Sequence, residues 1–356
     1  MKNLAGFHRR LVCAGPINPF EKLLLSVLVP FGWLYGMLGW LRSLCYRCGL
    51  MEIYRAEVPV IAVGNIAVGG TGKTPTVDYL VKFFHRQGKR VAVVSRGYGG
   101  SIRKGVAVVC GGEGPVLRAE ICGDEPLLLA RRNPRSMVLV APRRKLGIAA
   151  AVERGAEIVL LDDGFQHLAV ARDLDCVLLD SRCPLGNGRP LPAGLLREFP
   201  SALGRADLFL LTRWSQECRP LSLPDEVPVV RSRHRLENSL VGLDGQQVEV
   251  NRLAGLKGLA FSGIADPGQF FADLRCLGLE LSAQMQFPDH VAYEEEQIRS
   301  IRRAAAGLDF LVTTEKDGAK LAAGDFPLPC YQVPLAMDFL DQDVFERQLL
   351  AVFNKE

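Results

Sequence analysis

Residues 61–75 read IAVGNIAVGGTGKTP, an apolar run that enters a glycine-rich turn and leaves it through Gly72, Lys73 and Thr74. Few turns are constrained this tightly. Successive backbone N–H groups can face one anion only where side chains do not obstruct them, and glycine supplies that freedom. A helix starting at Lys73 adds the positive end of its dipole. The segment therefore predicts a strand, a phosphate-cradling turn of Gly69, Gly70, Thr71 and Gly72, and a helix. Lys73 would reach the β- and γ-phosphates of a nucleotide, and the Thr74 hydroxyl would ligate its magnesium. The pattern departs from the full phosphate-loop consensus at one place: Ala67 stands where a glycine is expected. The Gly69–Gly70 pair supplies flexibility close by.

A second element fits the first. Residues 158–163 read IVLLDD, an apolar strand ending in Asp162 and Asp163. A strand of this kind delivers a carboxylate to the magnesium shell of a phosphate-loop fold. An Asp pair is also an ordinary strand-to-turn junction, and the choice between the two carboxylates stays open. Further buried strands are predicted over 58–63, 90–95, 137–140, 157–161, 175–179 and 207–211, with helices over 73–87, 125–132 and 144–154. This alternation indicates βαβ units and a parallel sheet. The proline-rich PLSLPDEVP at 220–228 reads as a linker. Beyond it a second alternation follows, with strands over 256–261 and 310–313 and helices over 268–277 and 294–306. The expected fold is α/β: a P-loop NTPase-like parallel-sheet domain over 51–228 and a smaller second α/β domain over 229–356 that closes on the active site. An N-terminal membrane-associated helical segment over 1–50 precedes them.

That segment contains residues 23–41, LLLSVLVPFGWLYGMLGWL, with no charge among them. Pro30, Gly32, Gly36 and Gly39 interrupt it; Trp33, Tyr35 and Trp40 are residue types that favour a membrane–water boundary. A cleaved signal peptide fits poorly, because the stretch starts late and no small-residue cleavage site follows. A buried core helix and a membrane anchor remain, and the aromatic and basic edges favour the anchor. The net charge of +4 is too small to argue for nucleic acid, and no obligate protein partner is evident. The ten cysteines are scattered, with Cys45 and Cys48 the one CxxC pair. They read as free thiols of a reducing compartment.

The ordered set of segments resembles one family, the tetraacyldisaccharide 4′-kinases of lipid A synthesis. It comprises Gly64-Asn65 with GGTGKTP, Ser95-Arg96-Gly97-Tyr98-Gly99, Gly123-Asp124-Glu125-Pro126, Asp162-Asp163-Gly164-Phe165-Gln166-His167, Leu191-Pro192-Ala193-Gly194 with Leu196-Arg197-Glu198, Phe287-Pro288-Asp289-His290 and Thr314-Glu315-Lys316-Asp317. The resemblance implies an ATP- and Mg2+-dependent kinase at the cytoplasmic face of the bacterial inner membrane. Its acceptor would be the 4′-hydroxyl of a tetraacylated glucosamine disaccharide 1-phosphate, an acylated lipid. It also implies that Asp124 accepts the hydroxyl proton and that His290 pairs with Asp124 across the two domains. On local grounds Asp124 could equally cap the helix that starts there; the resemblance assigns it to catalysis. Arg143, Arg144 and Arg197 are candidate phosphate clamps, although Arg143-Arg144-Lys145 also reads as a solvated helix start. Glu198 is a candidate metal contact. Gln166 and His167 are expected to face the site.

Two other readings are kept open: a phosphate-loop kinase or ligase for a soluble metabolite, and a nucleotide-regulated membrane switch without transfer. A GTPase is disfavoured, since Asn-Lys-x-Asp is missing and Thr314-Glu315-Lys316-Asp317 resembles it only loosely.

Overall fold

The computed structural model describes residues 4–216, 221, 223–289 and 291–354. Two helices come first, α1 (Leu4–Ala14) and α2 (Pro19–Arg47). The first α/β part runs β1 (Val60–Asn65), α3 (Lys73–Arg86), β2 (Val91–Ser95), β3 (Ala107–Gly111), α4 (Ala119–Cys122), α5 (Asp124–Arg132), β4 (Met137–Val140), α6 (Arg144–Glu153), β5 (Ile158–Asp162), β6 (Leu174–Asp180), β7 (Leu208–Thr212) and β8 (Val229–Leu236). The second runs β9 (Ser239–Gly242), β10 (Gln247–Glu249), β11 (Lys257–Ser262), α7 (Pro267–Cys276), β12 (Glu280–Gln286), α8 (Glu295–Ala304), β13 (Phe310–Thr314), α9 (Glu315–Gly318) and β14 (Cys330–Val333). The chain then returns through β15 (Leu335–Phe339) and α10 (Gln342–Leu350).

Continuous apolar runs become the central strands because both of their faces are covered. All residues of β1, β2, β5 and β6 are buried. The large sheet has nine strands in the order β15-β8-β7-β6-β1-β5-β2-β4-β3, parallel except at its two edges, where β3 and β15 run antiparallel. Its core on one face joins Val77, Leu80, Val81, Phe83 and Phe84 of α3 to Phe345 and Leu349 of α10. A second sheet has six strands, β10-β9-β14-β13-β11-β12. Strand pairing thus places 229–236 and 335–339 in the first sheet, although the sequence suggests a division after residue 228. The sequence alternation is weak there. β8 exposes every second residue and carries three arginines, so it resembles the end of a linker. Two adjacent strands, β8 outward and β15 back, connect the sheets.

α2 is one unbroken helix of 29 residues that passes through Pro30. The glycines expected to interrupt it are instead a packing stripe. A Cβ on Gly32 would lie 2.9 Å from the Ala193 side chain and from the Pro190 carbonyl. One on Gly36 would lie 2.7 Å from the Phe199 ring. α2 therefore rests along the 190–199 segment, and Trp33 tilts against Phe199 with ring centroids 5.3 Å apart. The opposite faces leave Phe20, Leu23, Val27, Phe31, Leu34, Leu38 and Trp40 exposed. By length and composition α2 could cross a membrane. α1 is tied to it by Arg10–Glu21 and to the 190s by His8, 2.8 Å from the Pro192 carbonyl oxygen.

The same substitution at two helix glycines tests this packing. Gly6→Ala in α1 meets open space and gains ~0.5–1 kcal/mol from helix propensity. Gly36→Ala gains that propensity too, but the forced separation from Phe199 costs ~1–3 kcal/mol. Thermal melting in detergent should rise for the first variant and fall for the second. An equal rise in both would show that the α2 stripe is not tightly packed.

The expectation of free thiols needs one correction. Cys13 of α1 and Cys183 after β6 are joined by a disulfide. Their Cα atoms are 6.1 Å apart although 170 positions separate them in sequence, so nothing local announces the pair. Cys45, Cys48, Cys110, Cys122, Cys176, Cys276 and Cys330 are free.

Candidate active site

β1 lies between β5 and β6 in the sheet, so successive crossovers diverge from its carboxyl end and leave a crevice there. The glycine turn occupies that crevice. Gly69 and Gly72 adopt φ of +123° and +89°, values open to glycine and strained for other residues. Gly72 caps α3 from the left-handed region. A Cβ there would come within 2.6 Å of His234 Nε2. An added Cβ on Gly69 or Gly70 would meet nothing within 4 Å, so this part of the turn faces open space. Ala67, the departure from consensus, is buried and bridges to Leu196. There the chain pairs with the 190s, so a side chain is accommodated. Asn65 Nδ2 donates to Thr71 Oγ1 at 3.0 Å and braces the turn from inside.

Lys73, at the first position of α3, lies 3.6 Å from Asp163 Oδ1. Arg197 Nη1 donates to both oxygens of Asp163 at 3.0 and 2.9 Å, and to Gln166 Oε1 at 3.1 Å. Gln166 in turn donates to the Asn65 carbonyl at 2.8 Å. Asp163 holds a positive φ of 54°, uncommon for a non-glycine residue. Burial opposes its ionisation, but Lys73 and Arg197 outweigh that and keep its carboxyl below the usual range.

Asp162 is different. It is almost fully buried; Oδ2 accepts from Ser95 at 3.1 Å, and Oδ1 has no hydrogen-bond partner in the protein. Burial first, then the charges of Glu125 and Asp163, push its carboxyl up to about 7, while Lys73 and Arg144 pull the other way. A buried oxygen without a protein partner is suited to a cation, although among the described residues no three His, Cys, Asp or Glu side chains are grouped to hold a metal by themselves.

The arginines divide. Arg197 faces the acidic pair as described. Arg144 is buried, donating to the carbonyls of Ala141 at 3.0 Å and Asp162 at 3.2 Å. Its guanidinium thus holds the end of β5 rather than standing open as a clamp, and burial lowers its pKa to about 10. Arg143 is exposed at the start of α6. Glu198 accepts from Arg205 through both oxygens, each at 2.9 Å, so a metal would have to share or displace that pair. His167 is pushed down to about 4, by burial and then by Arg144, Arg42, Arg172 and Arg96. Arg42 belongs to α2, so the apolar helix reaches this side of the site.

Asp124 is the first residue of α5, whose N-cap is Gly123. Gly123 is needed there: its φ is +92° and its backbone abuts Gly97 and Tyr98. The SRGYG turn and the GDEP turn are thereby packed against each other. Lys320 Nζ, from the second sheet's domain, lies 2.9 Å from Asp124 Oδ2 and donates to the Val291 carbonyl at 3.0 Å. His290 itself lies outside the described residues. Thr314-Glu315-Lys316-Asp317, which carries no assigned step in the sequence, has a structural part. Thr314 caps α9, Glu315 pairs with Arg132 across the domains, and Asp317 accepts from the Gly263 amide at 2.9 Å. Lys320, Glu125 and Ser95 were not singled out by sequence. Glu125 and Ser95 stand inside the GDEP and SRGYG segments and could have been; Lys320 has no local signal.

The sequence pattern of the family described as Tetraacyldisaccharide-1-P 4′-kinase matches residues 24–354. A tetraacyldisaccharide 4′-kinase of Syntrophotalea carbinolica is 52% identical over 358 aligned positions, covering 100% of both chains. One of Geobacter sulfurreducens is 43% identical, covering 97% of this chain and 98% of its own. A crystal structure of the "apo" form of LpxK from Aquifex aeolicus in complex with ATP superposes with a TM-score of 0.79 at 33% identity, covering 93% of this chain and 99% of that one. With matches of this extent, in a chain that folds a glycine turn against an acidic pair between two α/β domains, this protein belongs to the tetraacyldisaccharide 4′-kinase family.

Proposed function

We propose that this chain transfers the γ-phosphoryl group of ATP to the 4′-hydroxyl of a tetraacylated glucosamine disaccharide 1-phosphate, giving lipid IVA at the cytoplasmic face of the inner membrane. The observation that supports the reading is the open glycine turn whose Lys73 faces the acidic pair; Asp124, met by Lys320 of the second domain, precedes Glu125, whose charge acts on Asp162. Phosphoryl transfer needs positioning and charge neutralisation more than covalent chemistry. The amides of Gly69–Gly72 and the dipole of α3 would bind the β- and γ-phosphates, and Lys73 would neutralise charge on the bridging oxygen as it leaves with ADP. Asp124 would take the proton of the 4′-hydroxyl as that oxygen bonds to the γ-phosphorus. His290 would orient Asp124, and the position beside it, Val291, already shares Lys320 with that carboxylate. Thr74, Asp162 and Asp163, with Glu198 if it releases Arg205, would hold a magnesium ion, which supplies neutralisation between the phosphates. Arg197 is the clamp best placed for a phosphate oxygen; Arg143 is accessible for one.

The exposed face of α2 explains how a soluble-looking catalytic fold meets an acylated substrate. A helix fixed lengthwise on the domain by Gly32 and Gly36 would lie in the interface with its apolar residues in lipid. The deciding experiment incubates the protein with γ-labelled ATP, magnesium and the acylated disaccharide in detergent or vesicles. Label should appear on the lipid with an equal amount of ADP. Label found only in inorganic phosphate would support the switch reading, and label on a water-soluble sugar the soluble-metabolite reading.

A further inference from the structure

Behind the phosphate loop, on the side away from Asp124, runs a line of charged groups that the reaction scheme above does not use. We propose that Arg213 is a positioning residue for the phosphate loop and that it is coupled to the second domain through Asp180, Arg182 and Asp266. This rests on the glycine turn being the nucleotide site.

Arg213 follows β7. Its Nη1 donates to the Gly70 carbonyl at 2.7 Å and to Asp180 Oδ2 at 2.7 Å. Arg182 donates to both oxygens of Asp180, at 3.2 and 3.1 Å, and through Nη1 to Asp266 Oδ2 at 2.9 Å. Asp266 is the N-cap of α7, in the second domain. A continuous path of hydrogen-bonded charges thus leads from a backbone carbonyl of the phosphate loop to the other domain.

Three features suit this path to coupling rather than to mere stability. First, the Arg213–Asp180 link is better buried than the outer one: the side chains of Arg213 and Asp180 are 19% and 8% exposed, those of Arg182 and Asp266 36% and 34%. Solvated ion pairs are weak, so the outer link can open when the domains separate while the inner one persists. Second, Arg213 sits at φ +52°, a left-handed conformation that a side chain of this size adopts at a cost. The strain aims its guanidinium at the loop. Third, two donors share Asp180 Oδ2, Nη2 of Arg182 and Nη1 of Arg213. Asp266 draws Arg182 outward. Without that pull Arg182 competes with Arg213 for the same oxygen, and the grip on Gly70 changes. The loop has little slack to absorb this, because Gly72 is pressed against His234 of β8, the strand that leads into the second domain.

Binding of MgATP, without lipid, tests the coupling in the intact protein. Arg213→Met should weaken binding ~10-fold, the equivalent of about 1.4 kcal/mol. Asp266→Asn keeps an acceptor for the Gln269 amide, so α7 stays capped, yet removes the charge; a loss of ~3-fold is expected. The double variant should bind no more weakly than Arg213→Met alone, since the effect of Asp266 passes through Arg213. The KM for the lipid should stay unchanged in both single variants. Additive losses, or wild-type affinity in either single variant, would overturn the coupling while leaving the nucleotide site intact. A wild-type protein that fails to bind MgATP would remove the site and the coupling together.

Discussion

Asp124→Asn is expected to lower kcat by ~10²–10⁴, the usual contribution of a positioned proton acceptor, with the KM for ATP little changed. The substitution preserves shape and removes the charge that meets Lys320 at 2.9 Å. The competing role, a helix cap, makes a different prediction. Gly123 already occupies the cap position of α5 and no side-chain cap bond is formed there. Loss of Asp124 as a helix-start charge would cost ~0.3–1 kcal/mol of stability and leave turnover largely intact. Measuring kcat, the KM for ATP and the melting temperature of the variant together separates the two. A lower melting temperature with wild-type turnover would return Asp124 to a structural part.

Lys73→Met should reduce kcat by ~10²–10³, as the loss of one preorganised charge donor typically does. It has a second consequence that identifies its surroundings. Lys73 helps to keep Asp162 ionised, against the burial and the carboxylates of Glu125 and Asp163 that raise its pKa to about 7. Removing a nearby positive charge disfavours the carboxylate, so the pKa must rise further. A cation binds the ionised form, so the acid limb of the kcat/KM profile should move to higher pH in this variant. A profile that shifts to lower pH, or does not move, would separate Lys73 from the acidic pair. Undiminished transfer would take the phosphate loop out of the reaction.

Much of the first domain was legible because its signals are local. The strand expected over 58–63 is β1, and the helix expected from Lys73 starts there, because a buried run and a glycine turn constrain their own backbone. The strand over 137–140 and the acidic end of β5 follow for the same reason. Local rules misled where packing overrides them. Pro30 and the α2 glycines weaken a helix in isolation, yet α2 passes through Pro30 unbroken, and Gly32 and Gly36 leave the room that lets it lie against Pro190, Ala193 and Phe199. Arg144 has the composition of a solvated helix start, but the fold buries it under the end of β5. The arginine-rich strand β8 carries no long apolar run to announce it, and only its pairing with β15 returns the C-terminus to the first sheet.

By itself, then, the sequence determined the phosphate turn, the acidic strand end, the α/β alternation and the apolar helix, all set by neighbours within a few residues. Only the tertiary structure decided that Lys320 reaches Asp124 across 196 positions, that Arg197 and Lys73 converge on Asp163, and that Cys13 meets Cys183. Those contacts join segments with no influence on one another's local conformation. They form only once two sheets and a helix have buried their apolar faces and brought the charged ends of their elements to one crevice.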